Sequence, residues 1–423
     1  MRPLGLRGAP WGPDNAATAA RPRRRLDVDA PLRPHTTLQL LPDPMSAPTT
    51  FFQAPHLPAG ARVVAAMSGG VDSSVAAWLL REAGFETVGL FMRNGVKVDA
   101  AEVHKKSCCS LSDARDARMV AAFLELPFQA VDLADEFGSL IDHFVEEYRR
   151  GRTPNPCALC NRDLKMGRLL ELADELGAEA VATGHYARLA VEDGRVHLRR
   201  GRDARKDQSY QLFSVPEPQL ARTLLPLGDL EKPRVRELAA AAGLRTSHKA
   251  DSQEVCFVPS NDYRNLLAER GVELHPGSIV DTQGRVLGQH EGTEHYTIGQ
   301  RRGLRVATGR PLFVVELLPD EGLVVVGDRE ECKATGMRVD DLNWIGFDAP
   351  DRFECLVQHR YHCTPSRVEV RLEGDGATVR FEEPELAVTP GQGAAFYDGD
   401  RLLGGGWIAS TQRQGQEAAA VGT

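Results

Sequence analysis

Ala66-Met67-Ser68-Gly69-Gly70-Val71-Asp72-Ser73-Ser74 stands between an apolar run over 62–67 and an amphipathic run over 73–84. A β-branched, apolar run that halts at Gly-Gly and resumes with helical spacing reads as strand, tight loop and helix. The helix stripe is Val75, Ala76, Leu79, Leu80 and Ala83. Such a junction aims backbone N–H groups and a helix N-terminus at one point, where a phosphate is stabilised. An ordinary glycine turn has the same outline, but Ser-Gly-Gly-x-Asp-Ser is more specific than a turn requires. It is not a Walker A loop, because the G-x-x-x-x-G-K-[ST] spacing and its lysine are absent.

The stretch resembles instead the PP-loop of the ATP pyrophosphatases, which split ATP between the α- and β-phosphates and place AMP on an acceptor oxygen. Outward from it the pattern alternates. Strands are expected over 62–67, 87–92, 127–131 and 179–183, and helices over 73–84, 112–124, 133–150 and 163–176. Short apolar strands between such helices imply an α/β fold with a doubly wound parallel sheet, whose ligands bind beyond the carboxyl ends of the strands. Helices are expected again at 232–242 and 262–270. From about residue 311 short alternating runs dominate, with Asp375-Gly376 and Asp398-Gly399 as hairpin signals. The expected organisation is a disordered extension without apolar period over 1–58, a PP-loop domain over 59–222 completed by 245–260, a central domain over 223–330, a β-barrel over 331–410, and an unstructured tail after Ile408, with 411–423 disordered.

At 423 residues the chain has room for two or three domains, and 26% charged with 42% hydrophobic residues is the composition of a soluble globular protein. No apolar run nears the roughly 20 residues of a spanning helix, so no membrane partner is expected. The formal net charge is −8, although residues 1–44 carry seven Arg against four Asp. A polyanion must therefore be held by local patches. The candidates are Arg149, Arg150 and Arg152; Arg199, Arg200, Arg202, Arg205 and Lys206; and Arg301, Arg302 and Arg305. Each alone is equally a solvated face. The run Arg21-Pro22-Arg23-Arg24-Arg25 outlines a transit segment or basic arm, against which scattered Pro and Asp argue, and Met45 offers an alternative start.

Eight cysteines in a chain of this length, with no secretory signal, point to thiols in a reducing compartment, the cytoplasm. Cys157 and Cys160 stand in Gly151-Arg152-Thr153-Pro154-Asn155-Pro156-Cys157-Ala158-Leu159-Cys160-Asn161, where two prolines predict an extended loop. Cys-x-x-Cys there reads as half a zinc site, a redox pair or two ligands of an iron–sulfur cluster. Cys256 is the third thiol, placed by its apolar downstream neighbours at the end of a buried strand. Cys108 and Cys109 stand together in a basic loop, and Cys332, Cys355 and Cys363 are assigned to structure.

Together these motifs resemble the bacterial tRNA-uridine 2-sulfurtransferases, the wobble-uridine 2-thiolases, from about Arg62 to Ile408. The resemblance is carried by Ser68-Gly69-Gly70-Val71-Asp72-Ser73, Gly89-Leu90-Phe91-Met92, Gly151 to Asn161, Thr183-Gly184-His185-Tyr186, Lys206-Asp207-Gln208-Ser209-Tyr210, Cys256-Phe257, Gly299-Gln300-Arg301-Arg302-Gly303, Arg360-Tyr361 and Gly404-Gly405-Gly406. It implies that Ala66, Met67, Ser68, Gly69, Gly70, Val71, Asp72, Ser73, Met92 and Gly184 bind ATP with Mg²⁺. Asn155, Pro156 and Cys157 would face the target base, while Lys206, Asp207, Gln208, Arg360 and Tyr361 would touch tRNA. Cys256 matches the persulfide carrier. Cys160 matches the second catalytic thiol, which would leave a Cys160–Cys256 disulfide. A sulfur-relay protein or cysteine desulfurase is the implied donor.

Where familiar members carry Asp, this chain has Cys157. That removes a proposed general base and keeps open an oxygen-sensitive [4Fe–4S] variant held by Cys157, Cys160 and Cys256. The rival readings are another PP-loop adenylating enzyme, of the amidotransferase or tRNA lysidine synthetase kind, and a non-catalytic RNA-binding module stapled by zinc.

Overall fold

The structure, a computed structural model, describes residues 52–54, 56–95, 111–251, 255–258 and 262–413. The expectations for 1–51, for Cys108 and Cys109, and for 414–423 lie outside those residues.

Strand β1 (Arg62–Ala66) leads through the glycine turn into α1 (Val71–Glu82), followed by β2 (Glu86–Arg93), α2 (Leu111–Phe123), β3 (Phe128–Asp132) and α3 (Ala134–Arg149). Then come α4 (Pro156–Leu159), a π-helical stretch Cys160–Arg168, α5 (Leu169–Glu175) and β4 (Ala180–Ala182). A hairpin of β5 (Ala187–Glu192) and β6 (Arg195–Arg200) precedes α6 (Glu217–Ala221), β7 (Thr223–Leu224) and α7 (Lys232–Ala241). The parallel sheet has the order β3-β2-β1-β4-β7. Val63, Val64 and Ala65 of β1 are buried, as a parallel strand covered on both faces requires. The chain leaves β1 toward β2 on one side and returns to β4 on the other, so the crevice between β1 and β4 is the topological switch point.

A second layer is built from α8 (Tyr263–Glu269), β8 (Gly277–Asp281), β9 (Val286–His290), β10 (Phe313–Leu318) and β11 (Leu323–Gly327), with strand order β10-β11-β8-β9. The third is a barrel of β12 (Lys333–Trp344), β13 (Arg352–Gln358), β14 (Ser366–Glu373), β15 (Gly376–Leu386), β16 (Gly393–Asp398) and β17 (Arg401–Arg413). Its order β12-β15-β14-β13-β16-β17 is closed by pairing of β12 with β17. Among the described residues no helix is long and apolar enough to cross a membrane.

Five local expectations are corrected. Residues 156–159 are helical, because Pro156 sits at the first helical turn, where its fixed φ is an asset, and the Asn155 side chain accepts from Ala158 N–H at 3.3 Å. Cys157 and Cys160 therefore ride on helix. Cys256 lies in a turn, where Val258 N–H donates to Val255 O at 2.9 Å, and not at the end of a strand. The fold is joined before residue 58, since Phe52 and Leu57 pack against the α/β core and Ala54 is buried in it. The chain beyond Ile408 is strand: Ser410, Thr411, Gln412 and Arg413 of β17 pair with β12. Finally, the α/β layer does not close at residue 222. Thr223–Leu224 supplies its fifth strand and α7 contributes Val235, Leu238 and Ala239 to its core, while β6 pairs with β17 of the barrel.

Candidate nucleotide and thiol site

The turn after β1 is held by its own serines. Ser68 N–H donates to Ser73 Oγ at 3.1 Å, and Ser74 Oγ donates to Gly70 O at 2.7 Å. Gly69 adopts φ +72°, and a Cβ there would lie 2.2 Å from the Asp113 carbonyl oxygen, so glycine is required. No side chain caps α1 at Gly70, which leaves the first N–H groups of that helix to an anion. Across the switch point, a Cβ on Gly184 would meet Ser73 N at 2.9 Å and the Asp72 carbonyl carbon at 3.0 Å. The end of β4 thereby closes against the first turn of α1. Ala66 to Ser73, Met92 and Gly184 all stand at this carboxyl edge. The Met67 side chain is buried beneath it, close to Gly89, and offers the edge only its backbone.

Two lysines flank the turn, and neither was legible as a site residue in the sequence. Lys232, at the start of α7, donates to both carboxylate oxygens of Asp72 at 2.7 Å and lies 2.9 Å from Asp251 Oδ1. Asp251 also accepts from Lys206 at 2.7 Å and Arg236 at 2.6 Å. Burial opposes ionisation of Asp251, but Lys206 and Lys232 outweigh it and hold its pKa at about 2. Tyr186 donates its hydroxyl to Asp72 at 2.6 Å. On the other flank Lys249 donates to Gly69 O at 2.8 Å, Asp113 at 2.5 Å and Asp116 at 2.8 Å. Nothing local marks these lysines, because the groups they hold at the turn, Asp72 for Lys232 and Gly69, Asp113 and Asp116 for Lys249, lie more than a hundred residues earlier in the chain. Burial, and then Lys165, drive the His185 pKa well below its usual range, so this histidine is neutral; Thr183 Oγ1 and His185 Nδ1 share a hydrogen bond of 2.7 Å.

The thiols form the second part of the site. Cys160 is buried in a cluster with Leu159, Leu164, α3 and Phe257, and Cys256 and Met92 pack against that same cluster. The nucleotide edge and the two thiols thus adjoin one apolar body. Among the described residues no disulfide joins Cys157, Cys160 or Cys256 to one another. Cys157 is exposed and near Tyr361, whose hydroxyl is pushed up to about 12 by burial, then Asp207, then Cys157. Asn155 and Pro156 are buried beneath Cys157.

The expected tRNA contacts divide. Tyr361 lies near Cys157, its ring tilted by 39° against the His362 ring with centroids 3.8 Å apart, and Arg360 precedes it in the chain. Lys206, Asp207 and Gln208 are turned inward. Lys206 is bound to Asp251; Asp207 accepts from Arg200, Gly201 N–H and Ser209; Gln208 Oε1 accepts from Tyr186 N–H at 3.0 Å. They brace the switch point against the barrel.

Among the described residues no three His, Cys, Asp or Glu side chains are grouped to hold a metal. The Cys157, Cys160 and Cys256 set does not fit a [4Fe–4S] cluster in this arrangement. The carboxylates at the turn are each bound by lysine, so the residues present do not form a Mg²⁺ cage.

Comparison with known proteins agrees with this construction. Residues 61–260 match the family described as the tRNA methyl transferase HUP domain, 264–328 the corresponding PRC-barrel domain, and 334–408 the aminomethyltransferase beta-barrel domain. The tRNA-specific 2-thiouridylase MnmA of Geobacter metallireducens is 51% identical over 362 residues, covering 84% of this chain and 98% of that relative. Its counterpart in Carboxydothermus hydrogenoformans is 48% identical, covering 82% of this chain and 97% of that one. Among solved structures, the U34-tRNA thiolase NcsA from Methanococcus maripaludis with its [4Fe-4S] cluster aligns at TM-score 0.31 and 20% identity, over 50% of this chain and 64% of that one. The chain therefore belongs to the tRNA-specific 2-thiouridylase family, PP-loop enzymes with a HUP domain, a PRC-barrel domain and a closed C-terminal β-barrel.

Proposed function

We propose that this protein uses ATP to adenylate the C2 oxygen of a tRNA wobble uridine and replaces that oxygen with sulfur carried on Cys256. Oxide is a poor leaving group, whereas AMP is a good one. The uridine oxygen attacks the α-phosphorus, pyrophosphate departs, and the Gly69 and Gly70 amides with the first turn of α1 receive its charge. Lys232 and Lys249 are positioned to exchange carboxylate partners for phosphate oxygens, and Mg²⁺, if required, would arrive with the triphosphate. The terminal sulfur of the Cys256 persulfide attacks C2 and expels AMP. Cys160 thiolate then attacks the Cys256 Sγ, releasing 2-thiouridine and leaving a Cys160–Cys256 disulfide, which a two-electron reductant reopens. A cysteine desulfurase or relay protein would load the persulfide. Cys157, Arg360 and Tyr361 would meet the unstacked base.

The observation that carries this reading is the packing of Met92 and Cys256 against the cluster that contains Cys160, which joins the phosphate turn to both thiols. The test is thiolation of tRNA by purified enzyme with ATP and a persulfide donor, scored by nucleoside mass spectrometry. Cys160→Ser and Cys256→Ser are each expected to abolish 2-thiouridine while leaving tRNA affinity within a few-fold. Retained thiolation in either variant would refute the two-thiol route.

A further inference from the structure

Two of the three arginine-rich patches are paired in part from within the chain. Arg149, Arg150 and Arg152 pair with Glu146 and Glu147, and Arg199, Arg200 and Lys206 pair with Asp400, Asp207 and Asp251, while Arg202 and Arg205 of that patch are exposed. The loop over 299–311, between β9 and β10, is different. Arg301, Arg302, Arg305 and Arg310 are all exposed there, and none has an ion-pair partner among the described residues. No Asp or Glu occurs between Glu294 and Glu316, in a chain whose net charge is −8. Four like charges on one short loop repel each other, a cost that a bound polyanion removes.

The loop is held in shape. Gly299 N–H donates to Val314 O at 2.8 Å and Val314 N–H to Gln300 O at 2.9 Å, tying its root to β10. The Gln300 side chain accepts from Thr297 N–H at 3.1 Å and donates to Arg302 O at 2.9 Å. Leu304 is buried in the core of the central barrel. The guanidinium groups therefore project from a fixed frame, which lowers the entropy cost of ordering them on a ligand.

We infer that this loop grips the phosphate backbone of a base-paired stem of the tRNA substrate; the inference rests on the function proposed above and assigns it a recognition surface. Arginine forks match phosphate oxygens. The loop carries no aromatic residue between Tyr296, which is buried, and Phe313, which packs inward. Single-strand sites interleave cations with aromatic stacking platforms. Lacking them, this surface reads the charge and spacing of duplex phosphates, not bases.

The experiment is a salt titration of binding to unmodified tRNA and to a short RNA duplex. Each phosphate that a variant no longer neutralises lowers the slope of log K against log salt by about 0.9. Arg301→Ala with Arg302→Ala is expected to lower the slope by about 2 and to weaken tRNA binding roughly ten- to fifty-fold near physiological salt, with a parallel weakening for the duplex. Arg301→Lys with Arg302→Lys keeps the charge and is expected to keep the slope. Unchanged affinity and slope in the alanine pair would overturn the inference, as would weaker binding without a fall in slope. An unchanged ATP affinity shows that each variant is folded. If wild-type enzyme binds RNA but makes no 2-thiouridine, the proposed function fails and the loop's binding is still read independently.

Discussion

The phosphate turn and the 299–311 loop are both cationic, yet they are built in opposite ways. At the turn each lysine is matched to carboxylates: Lys232 to Asp72 and Asp251, Lys249 to Asp113 and Asp116. On the loop no guanidinium is matched among the described residues. On the function proposed above, the difference follows from what each surface would have to do. A catalytic cation must be aimed to within a fraction of an ångström before the reaction, so it is fixed by partners that can yield it. A cation that tracks a nucleic-acid backbone needs only to be close and unscreened.

The contrast breaks most visibly at Lys232. Lys232→Ala leaves Asp72 without its ammonium and a departing pyrophosphate without a counter-charge, and a drop of roughly 10²-fold or more in the thiolation rate is expected at saturating tRNA. An effect confined to tRNA affinity would show that Lys232 belongs with the loop. Smaller is the effect of Lys249→Gln, which keeps a hydrogen bond to Gly69 O but loses charge; about a tenfold rise in the KM for ATP is expected by isotope assay. Salt should separate the two surfaces further. Raising ionic strength should weaken tRNA binding steeply through the exposed loop and ATP binding only slightly through the enclosed turn. Competition experiments at two salt concentrations check this.

The smallest effect concerns acid. The folded-state pKa of Asp251 is depressed from 3.8 to about 2, so its contribution is present above the unfolded value and fades as pH falls from about 4 toward 2. Asp251→Asn should flatten the pH dependence of the thermal midpoint in that window and leave its shape at pH 6–8 intact. An unaltered acid limb would mean that the Lys206 and Lys232 pairs add nothing to stability.

Much of the fold was legible because apolar period and glycine placement are local signals. The turn at Ser68–Ser73 and the amphipathic α3, with Phe137, Leu140, Ile141, Phe144, Val145 and Tyr148 all buried, needed no partner to be recognised. Long-range partners were invisible. Val196 and Leu198 show alternation, but only the assembled structure places β6 against β17, two hundred residues on. Polar Ser410 to Arg413 resembles a tail until β12 is beside it. At the site, Cys160 and Cys256 were named from the resemblance, whereas Lys232 and Lys249 carry no local signal. Asp207 and Gln208, which the resemblance assigns to tRNA contact, also accept from backbone N–H groups inside the molecule, bonds that no local pattern announces. Sequence gives polarity, and only packing tells whether a polar group faces out or in.

The central claim is that ATP is spent at the glycine–serine turn to activate the base. The direct measurement is the product of ATP turnover during thiolation, followed with ATP labelled at the α- and γ-phosphates. AMP and pyrophosphate should form in step with 2-thiouridine, require tRNA, and fall together in Asp72→Asn. Formation of ADP and orthophosphate, or full thiolation by Asp72→Asn, would contradict the account.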